Sequence, residues 1–335
     1  MGHHAPITFS IVGSHLAPIA DLIERSDVSE IALNREGEIW FEVAGEAQMR
    51  SRPQPEYSAE KLMRLANGIA AQSAQHVSAA HPLLSARIDG VGRVQLALPP
   101  VSGEGAAFAI RRAVTKRLSL ADYQELGMFE GEDITRSDAL TKDDAALVAL
   151  HRERDIHGFL KEAITAKKNI IVSGGTSSGK TTFANALLAE ISAGDRIITI
   201  EDTRELTPSQ PNHLPLIASR GGQNKAKIDS VGLLEAALRL RPDRIILGEL
   251  RGAEAYPFIR AINTGHPGAI TTIHADTPQG ALDQLAFLVL QSGLNLDFAQ
   301  IRSFVARQID VIVQLGRVGG ERRVETVYFR HAENH

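Results

Sequence analysis

Cysteine is absent from the 335 residues. That excludes disulfides and any thiolate metal site, and it is compatible with a reducing compartment. Long apolar runs are absent too: none approaches the ~18 residues that a membrane-spanning helix needs. The N-terminus, Met-Gly-His-His-Ala-Pro, lacks a charged segment followed by an apolar one, so no signal peptide is expected. Nor does either sign of charge dominate. The 36 basic and 40 acidic side chains leave a net −4, which argues against a general nucleic-acid binder while leaving room for a local basic patch. Apolar content of 43% is ordinary for a globular chain with a sizeable core, and the length suggests two domains or one large one.

The most informative stretch runs from Asn169 to Leu187. A β-branched run, Ile170-Ile171-Val172, ends in Gly174-Gly175-Thr176-Ser177-Ser178-Gly179-Lys180-Thr181-Thr182, and a helix-forming segment follows. The turn fits G-x-x-x-x-G-K-[ST]. In that motif successive backbone N–H groups wrap a phosphate chain, the lysine reaches the terminal phosphates and the threonine hydroxyl binds Mg²⁺. The helix N-terminus adds its positive dipole end. A strand before and a helix after is the context that distinguishes this motif from a chance glycine-rich turn. The chain binds nucleotide on this reading.

Upstream, Leu16–Ile23 has helical spacing, Val28–Asn34 alternates as a strand, and Gly37 turns the chain into a second strand over 38–43. The polar, proline-broken segment 46–55 reads as a loop. Ser58 caps a helix expected to run from Ala59 towards Ala79, and strands are expected at 84–88, 93–98 and 106–111. This is an α+β domain with a hairpin-rich sheet, residues 1–115. Residues 116–141, polar and weakly patterned with one short helix at Leu120–Leu126, read as an interdomain linker. Residues 142–335 then alternate helix and strand as a parallel sheet with crossover helices requires. A long loop is expected across 207–224, and the last two strands are expected at 311–315 and 323–329.

Four further clusters fall at or near strand ends, where an open α/β sheet binds its ligands. Glu201-Asp202-Thr203-Arg204-Glu205 gathers three carboxylates, either to serve a metal or a proton transfer or as a solvated acidic loop. Glu249 ends the apolar run Ile245-Ile246-Leu247-Gly248, where phosphate-loop enzymes place an acid to hold Mg²⁺ directly or through water. His266 and His274 are candidates to sense a γ-phosphate, or are packed or capping residues; His274 is the better placed. The arginines Arg239, Arg241, Arg244, Arg251 and Arg260, with Arg93, Arg111 and Arg112 upstream, could include one that reaches a transition state in trans. Asn224-Lys225-Ala226-Lys227 lacks the aspartate of a guanine-reading motif.

The order of these motifs resembles the secretion traffic ATPases. Ile-Glu-Asp-Thr-Arg-Glu-Leu (200–206), Leu-Arg-Leu-Arg-Pro-Asp-Arg-Ile-Ile-Leu-Gly-Glu-Leu-Arg (238–251) and Thr-Gly-His-Pro-Gly-Ala-Ile-Thr-Thr-Ile-His-Ala (264–275) follow the phosphate loop as in the VirB-type ATPases of type IV secretion and conjugative DNA transfer. A weaker match lies at Val28–Asn34. The resemblance implies a RecA-like C-terminal ATPase domain with ATP as substrate and Mg²⁺ as cofactor. Lys180 and Thr181 would bind phosphates and Mg²⁺, Glu205 would orient or deprotonate the attacking water, and Glu201 and Asp202 would support that box at the metal. Glu249 would hold the metal through water, and His274, with His266 as a second candidate, would sense the γ-phosphate. Arg241 would sit at or near a subunit boundary, with Arg111 or Arg112 lying over the nucleotide. The resemblance also implies a homo-hexameric ring, cytoplasmic and peripheral on the inner face of the inner membrane. Its partners would be other inner-membrane and cytoplasmic components of a secretion or conjugation apparatus, with no sequence-specific nucleic-acid contact, and interdomain movement about the linker would do work. A type II secretion or type IV pilus ATPase fits less well, because there is no cysteine for a zinc site and the acidic box reads Asp-Thr rather than Asp-Pro. The family usually reads Thr-Gly-Ser-Gly-Lys in the loop; Ser177 departs from that. It is the only sequence support for a nucleotide-gated scaffold subunit with weak hydrolysis.

Overall fold

Period-two alternation builds the first sheet. In the computed structural model, described for residues 11–103, 105–112, 119–130, 140–219 and 226–332, strands β1 (Val28–Leu33), β2 (Gly37–Val43), β3 (Arg50–Gln54), β4 (Leu83–Ile88), β5 (Gly92–Ala97) and β6 (Ala107–Arg111) pair antiparallel in the order β3-β2-β1-β6-β5-β4. One face, with Ile31, Leu33, Ile39, Phe41, Phe108 and Ile110, packs on helices α1 (Ile11–Leu16), α2 (Ala20–Glu24) and α3 (Ala59–Gln72). The alternate residues Ala32, Trp40, Ala97, Ala107 and Ala109 join the core of the C-terminal domain instead. These residues are mostly alanine because the face must meet a second domain closely.

Several expectations are corrected. The segment expected as a loop at 46–55 contains the edge strand β3, and the expected loop at 207–224 contains β9 (His213–Ile217). Both carry a proline, Pro53 and Pro215, and both are edge strands with only one hydrogen-bonded neighbour. Proline is tolerated at an edge, so it did not break either strand. Helix α3 ends at Gln72, seven residues before Ala79: Ser73 Oγ turns back on the Ile69 carbonyl at 2.7 Å, and Ala74 takes φ +51°. The expected helix over 16–23 is two short helices joined by a 3₁₀ turn at Ala17–Ile19, where Pro18 lacks a donor. Of the linker, helix α4 (Leu120–Glu125) is described; its parts at 116–118 and 131–139 lie outside the described residues, as do 220–224 of the loop.

The second sheet follows the order β13-β12-β7-β11-β10-β8-β9, from β7 (Ile170–Gly174), β8 (Ile197–Glu201), β9, β10 (Arg244–Leu247), β11 (Ile270–Ile273), β12 (Val311–Val318) and β13 (Glu321–Phe329). All are parallel except the edge strand β13. Ile170, Val172, Ile246 and Val313 face α5 (Lys142–Glu153), α6 (Ile156–Thr165) and α7 (Lys180–Ala189). Ile171, Ile245 and Ile312 face α8 (Ser230–Ala237), α9 (Ala255–Asn263), α10 (Pro278–Leu290) and α11 (Phe298–Gln308). Covered on both faces, these strands read as continuous apolar runs.

The two domains meet across a buried polar knot as well as the shared apolar seam. The fully buried Arg196 donates to Asn34 Oδ1 and Asn212 Oδ1, each at 2.6 Å, and to the Leu240 carbonyl, while Asn34 Nδ2 donates to Asn212 Oδ1 at 2.8 Å. Burial pushes the Arg196 guanidinium down to about 9, so it remains charged at neutral pH. Three polar acceptors around one desolvated cation make this interface register-specific. Arg241–Glu42 adds an ion pair at 2.5 Å between the domains.

Candidate active site

The phosphate loop leaves β7 at Gly174, where only hydrogen fits: a Cβ there would lie 2.5 Å from Ser178 Oγ and 2.7 Å from the Leu315 carbonyl oxygen. Gly179, at φ +92°, closes the loop and precedes α7. Between them Ser177 also holds a left-handed backbone, φ +63°, which costs a side-chain-bearing residue roughly 1–2 kcal/mol. The position where the family usually has glycine is therefore one where glycine is favoured.

Lys180 is buried, with Nζ 3.0 Å from the carbonyl oxygens of Gly174 and Gly175 and 3.4 Å from the ring nitrogens of His274. Desolvation lowers its pKa, opposed by the nearby Glu249 carboxylate. His274 Nε2 lies 3.1 Å from Glu249 Oε1, and the other Glu249 oxygen pairs with Arg251. Lys180, His274 and Glu249 thus stand in a row from the loop after β7, across the end of β11, to the end of β10, and Glu249 Oε1 accepts no hydrogen bond there among the described residues. Gly248, just before Glu249, leaves room for the Glu201 stem: a Cβ there would lie 3.1 Å from Glu201 Cγ.

The acidic box is folded by its own first residue. Glu201 Oε1 accepts from the backbone N–H of Glu205 and of Leu206, both at 2.8 Å, while Oε2 has no hydrogen-bond partner. Burial raises the Glu201 pKa against those two N–H groups. Asn185 on α7 then ties the box to the phosphate-loop helix, donating to the Glu205 carbonyl at 3.0 Å and accepting from Thr207 N–H at 2.8 Å. Thr181, Glu201, Asp202, Glu205, Glu249 and Arg251 line one cleft of about 120 Å³. Among the described residues, no three acidic or histidine side chains converge to hold a metal by themselves.

This domain matches the family described as "Type II/IV secretion system protein" over residues 148–318. The type IV secretion system protein VirB11 of Bartonella henselae is 37% identical over 335 aligned positions, covering 96% of this chain and 94% of that protein. VirB11 of Brucella suis is 35% identical over 310 positions, covering 91% and 85%. The crystal structure of the VirB11 ATPase from the Brucella suis type IV secretion system, in complex with sulphate, superposes with a TM-score of 0.89 at 32% identity, covering 97% of this chain and all of that one. The chain belongs to the VirB11 family. It is a type IV secretion ATPase of two sheets, as the motif order implied.

Against that family frame, the residues singled out from the sequence divide into two groups. Lys180, Thr181, Glu201, Asp202, Glu205, Glu249 and His274 stand together at the C-terminal edge of the second sheet. Arg111, Arg112, Arg241 and His266 gather instead in a separate cavity of about 660 Å³ between the domains, at the N-terminal ends of the strands. The four residues of β11 alone separate the two edges by ~13 Å. Arg112 is turned inward, donating to the carbonyls of Arg25 and Val28, the latter at 2.9 Å. Arg111 pairs with Glu30 but keeps 65% of its side chain exposed. Arg241 takes φ +57° and is held by Glu42 and Asp243. Two contributors were missed as site residues: Asn185, whose helix position carries no motif signal, and Arg251, which sequence reading grouped with other arginines. The residue that distinguishes Arg251 is its neighbour two positions back, Glu249.

Proposed function

We propose that this chain hydrolyses ATP with Mg²⁺ at the Gly174–Thr181 loop, as one subunit of a hexameric ring. The ring would work at the cytoplasmic face of the inner membrane with other components of a type IV secretion or conjugation apparatus. One observation carries the reading: Lys180, His274 and Glu249 stand in succession beside Glu205, with His274 within 3.4 Å of Lys180 Nζ and 3.1 Å of Glu249 Oε1. Among the described residues no helix is long and apolar enough to cross a membrane, and attachment would be peripheral.

The backbone N–H groups of the loop and the start of α7 receive the phosphates. Lys180 Nζ, resting on two loop carbonyls, turns to the β- and γ-phosphate oxygens. Thr181 and Glu249, with Glu201 and Asp202 behind them, would hold Mg²⁺, which would supply charge neutralisation at the phosphates. Glu205 orients the attacking water and takes its proton, from a loop that Glu201 and Asn185 keep over α7. His274, between Lys180 and Glu249, exchanges partners when the γ-phosphate arrives and again when it leaves. Arg111 and Arg241, facing away from their own loop, would act on the nucleotide of a neighbouring subunit.

ATP turnover by the purified full chain, with and without phospholipid, tests the assignment. Lys180→Ala should lose nucleotide binding. Glu205→Gln should bind ATP normally and turn over about 10²- to 10⁴-fold more slowly. Phosphate release by the wild type no faster than by Lys180→Ala would overturn the reading.

A further inference from the structure

The β12–β13 hairpin extends beyond the sheet. β12 pairs with β7 as far as Leu315↔Gly174, and the remaining hairpin residues, 316–322, project past the point where the phosphate loop begins. At its tip Arg322 lies against that loop: a Cβ placed on Gly179 would be 3.0 Å from Arg322 Cδ, 3.4 Å from Nε and 3.6 Å from Nη1. Gly179 has no side chain, and this is what lets the arginine stem lie there.

Two further features make this arginine unusual. It stands directly opposite Arg317 in the antiparallel register, and like charges opposite one another destabilise a strand pair. Arg317 is tied locally, donating from Nε to the Gly320 carbonyl at 3.1 Å, and the next residue, Arg323, pairs with Glu321 at 2.8 Å. Arg322 alone of the three forms no hydrogen bond or ion pair among the described residues. An unpaired guanidinium, kept beside a second cation and laid on a phosphate-binding turn, is complementary to an anion.

We propose that Arg322 is a nucleotide-binding residue acting within its own subunit, contacting the α/β-phosphate end of ATP or ADP bound at Gly174–Thr181. The direction follows from strand order. Glu249 and His274 approach the γ-phosphate from β10 and β11 on one side of β7, whereas the hairpin flanks β7 on the other side. Arg322 therefore meets the phosphate chain at the end remote from the bond that breaks. It holds product and substrate alike and does not act on the transition state. The proposal rests on the loop binding nucleotide, as argued above. It is separate from the inter-subunit role given to Arg111 and Arg241.

The test is equilibrium binding of a fluorescent ADP analogue to the full chain, with ATP and inorganic tripolyphosphate as competitors. Arg322→Ala should weaken ADP, ATP and tripolyphosphate alike by about tenfold, the scale of one lost charge-assisted hydrogen bond. Arg322→Lys should fall between, and Arg323→Ala on the same hairpin should bind as the wild type does. Affinity in Arg322→Ala within about twofold of wild type overturns the proposal. So does a loss for ADP with none for tripolyphosphate, which would put the arginine on the base. If the wild type binds no nucleotide, or Lys180→Ala binds it equally well, the reading of the loop fails and this proposal falls with it.

Discussion

Ser177 shows how a single side chain can work against the loop that contains it. Its left-handed backbone, φ +63°, is open to glycine at no steric cost, while the exposed serine gains no hydrogen-bond partner among the described residues. Ser177→Gly should raise stability by about 0.5–1 kcal/mol, the relief of strain less the added freedom of the unfolded chain. The midpoint of urea unfolding reads this directly, and an unchanged or lower midpoint would mean the strain is absorbed elsewhere. The same residue shows what sequence can reveal. That 177 departs from the family's loop was visible as a letter, but its strain depends on a dihedral angle that no letter encodes.

At the scale of elements, the strand pair β8–β9 carries a proton-dependent contribution. His213 on β9 lies against Thr199 on β8, with Nε2 3.1 Å from Oγ1. Burial, with Arg204 and Arg196 adding repulsion, pushes its imidazole from 6.5 down to about 4. Because the folded value is the lower one, acid favours the unfolded chain, which takes up the proton first. The contribution is complete above pH 6.5 and is lost as pH falls towards 4. The loss reaches about 3 kcal/mol at the acid limit. His213→Gln should flatten that part of the stability profile, measured by thermal unfolding between pH 7 and pH 4. A profile parallel to that of the wild type would show that His213 is solvated.

Elements buried on both faces were the legible ones. β7, β10 and β11 stand out as apolar β-branched runs, and their C-terminal residues supplied the phosphate loop, Glu249 and His274. β3 and β9 were hidden for a common reason: each has a proline and a half-polar face, which is how a loop reads and also how an edge strand is built. Asn185 was hidden differently. Its partners, the Glu205 carbonyl and Thr207 N–H, are backbone groups twenty or more residues away.

At the scale of the whole molecule, the arginines pose a question of geometry that one subunit cannot answer. Arg111 and Arg241 open towards a cavity at one edge of the sheet, while the nucleotide loop lies at the other. If they serve a neighbour, two defective subunits can repair each other. Lys180→Ala and Arg111→Ala should each be inactive alone, yet mixing them should restore part of the ATP turnover. At interfaces where the first lends its arginine to the intact loop of the second, a working site forms. Equal inactivity of the mixture, with mixed rings verified by mass, would assign Arg111 to its own subunit. The seam between the domains has a practical bearing on any such work. Trp40, Ala97, Ala107 and Ala109 are covered by the other domain, and Arg196 finds one of its acceptors, Asn34, across that boundary. Severing the chain within 116–141 would therefore give two fragments that are each sticky rather than two tidy modules. Residues 1–115 made alone should partition into the insoluble fraction and should be recovered when the two halves are produced together in one cell.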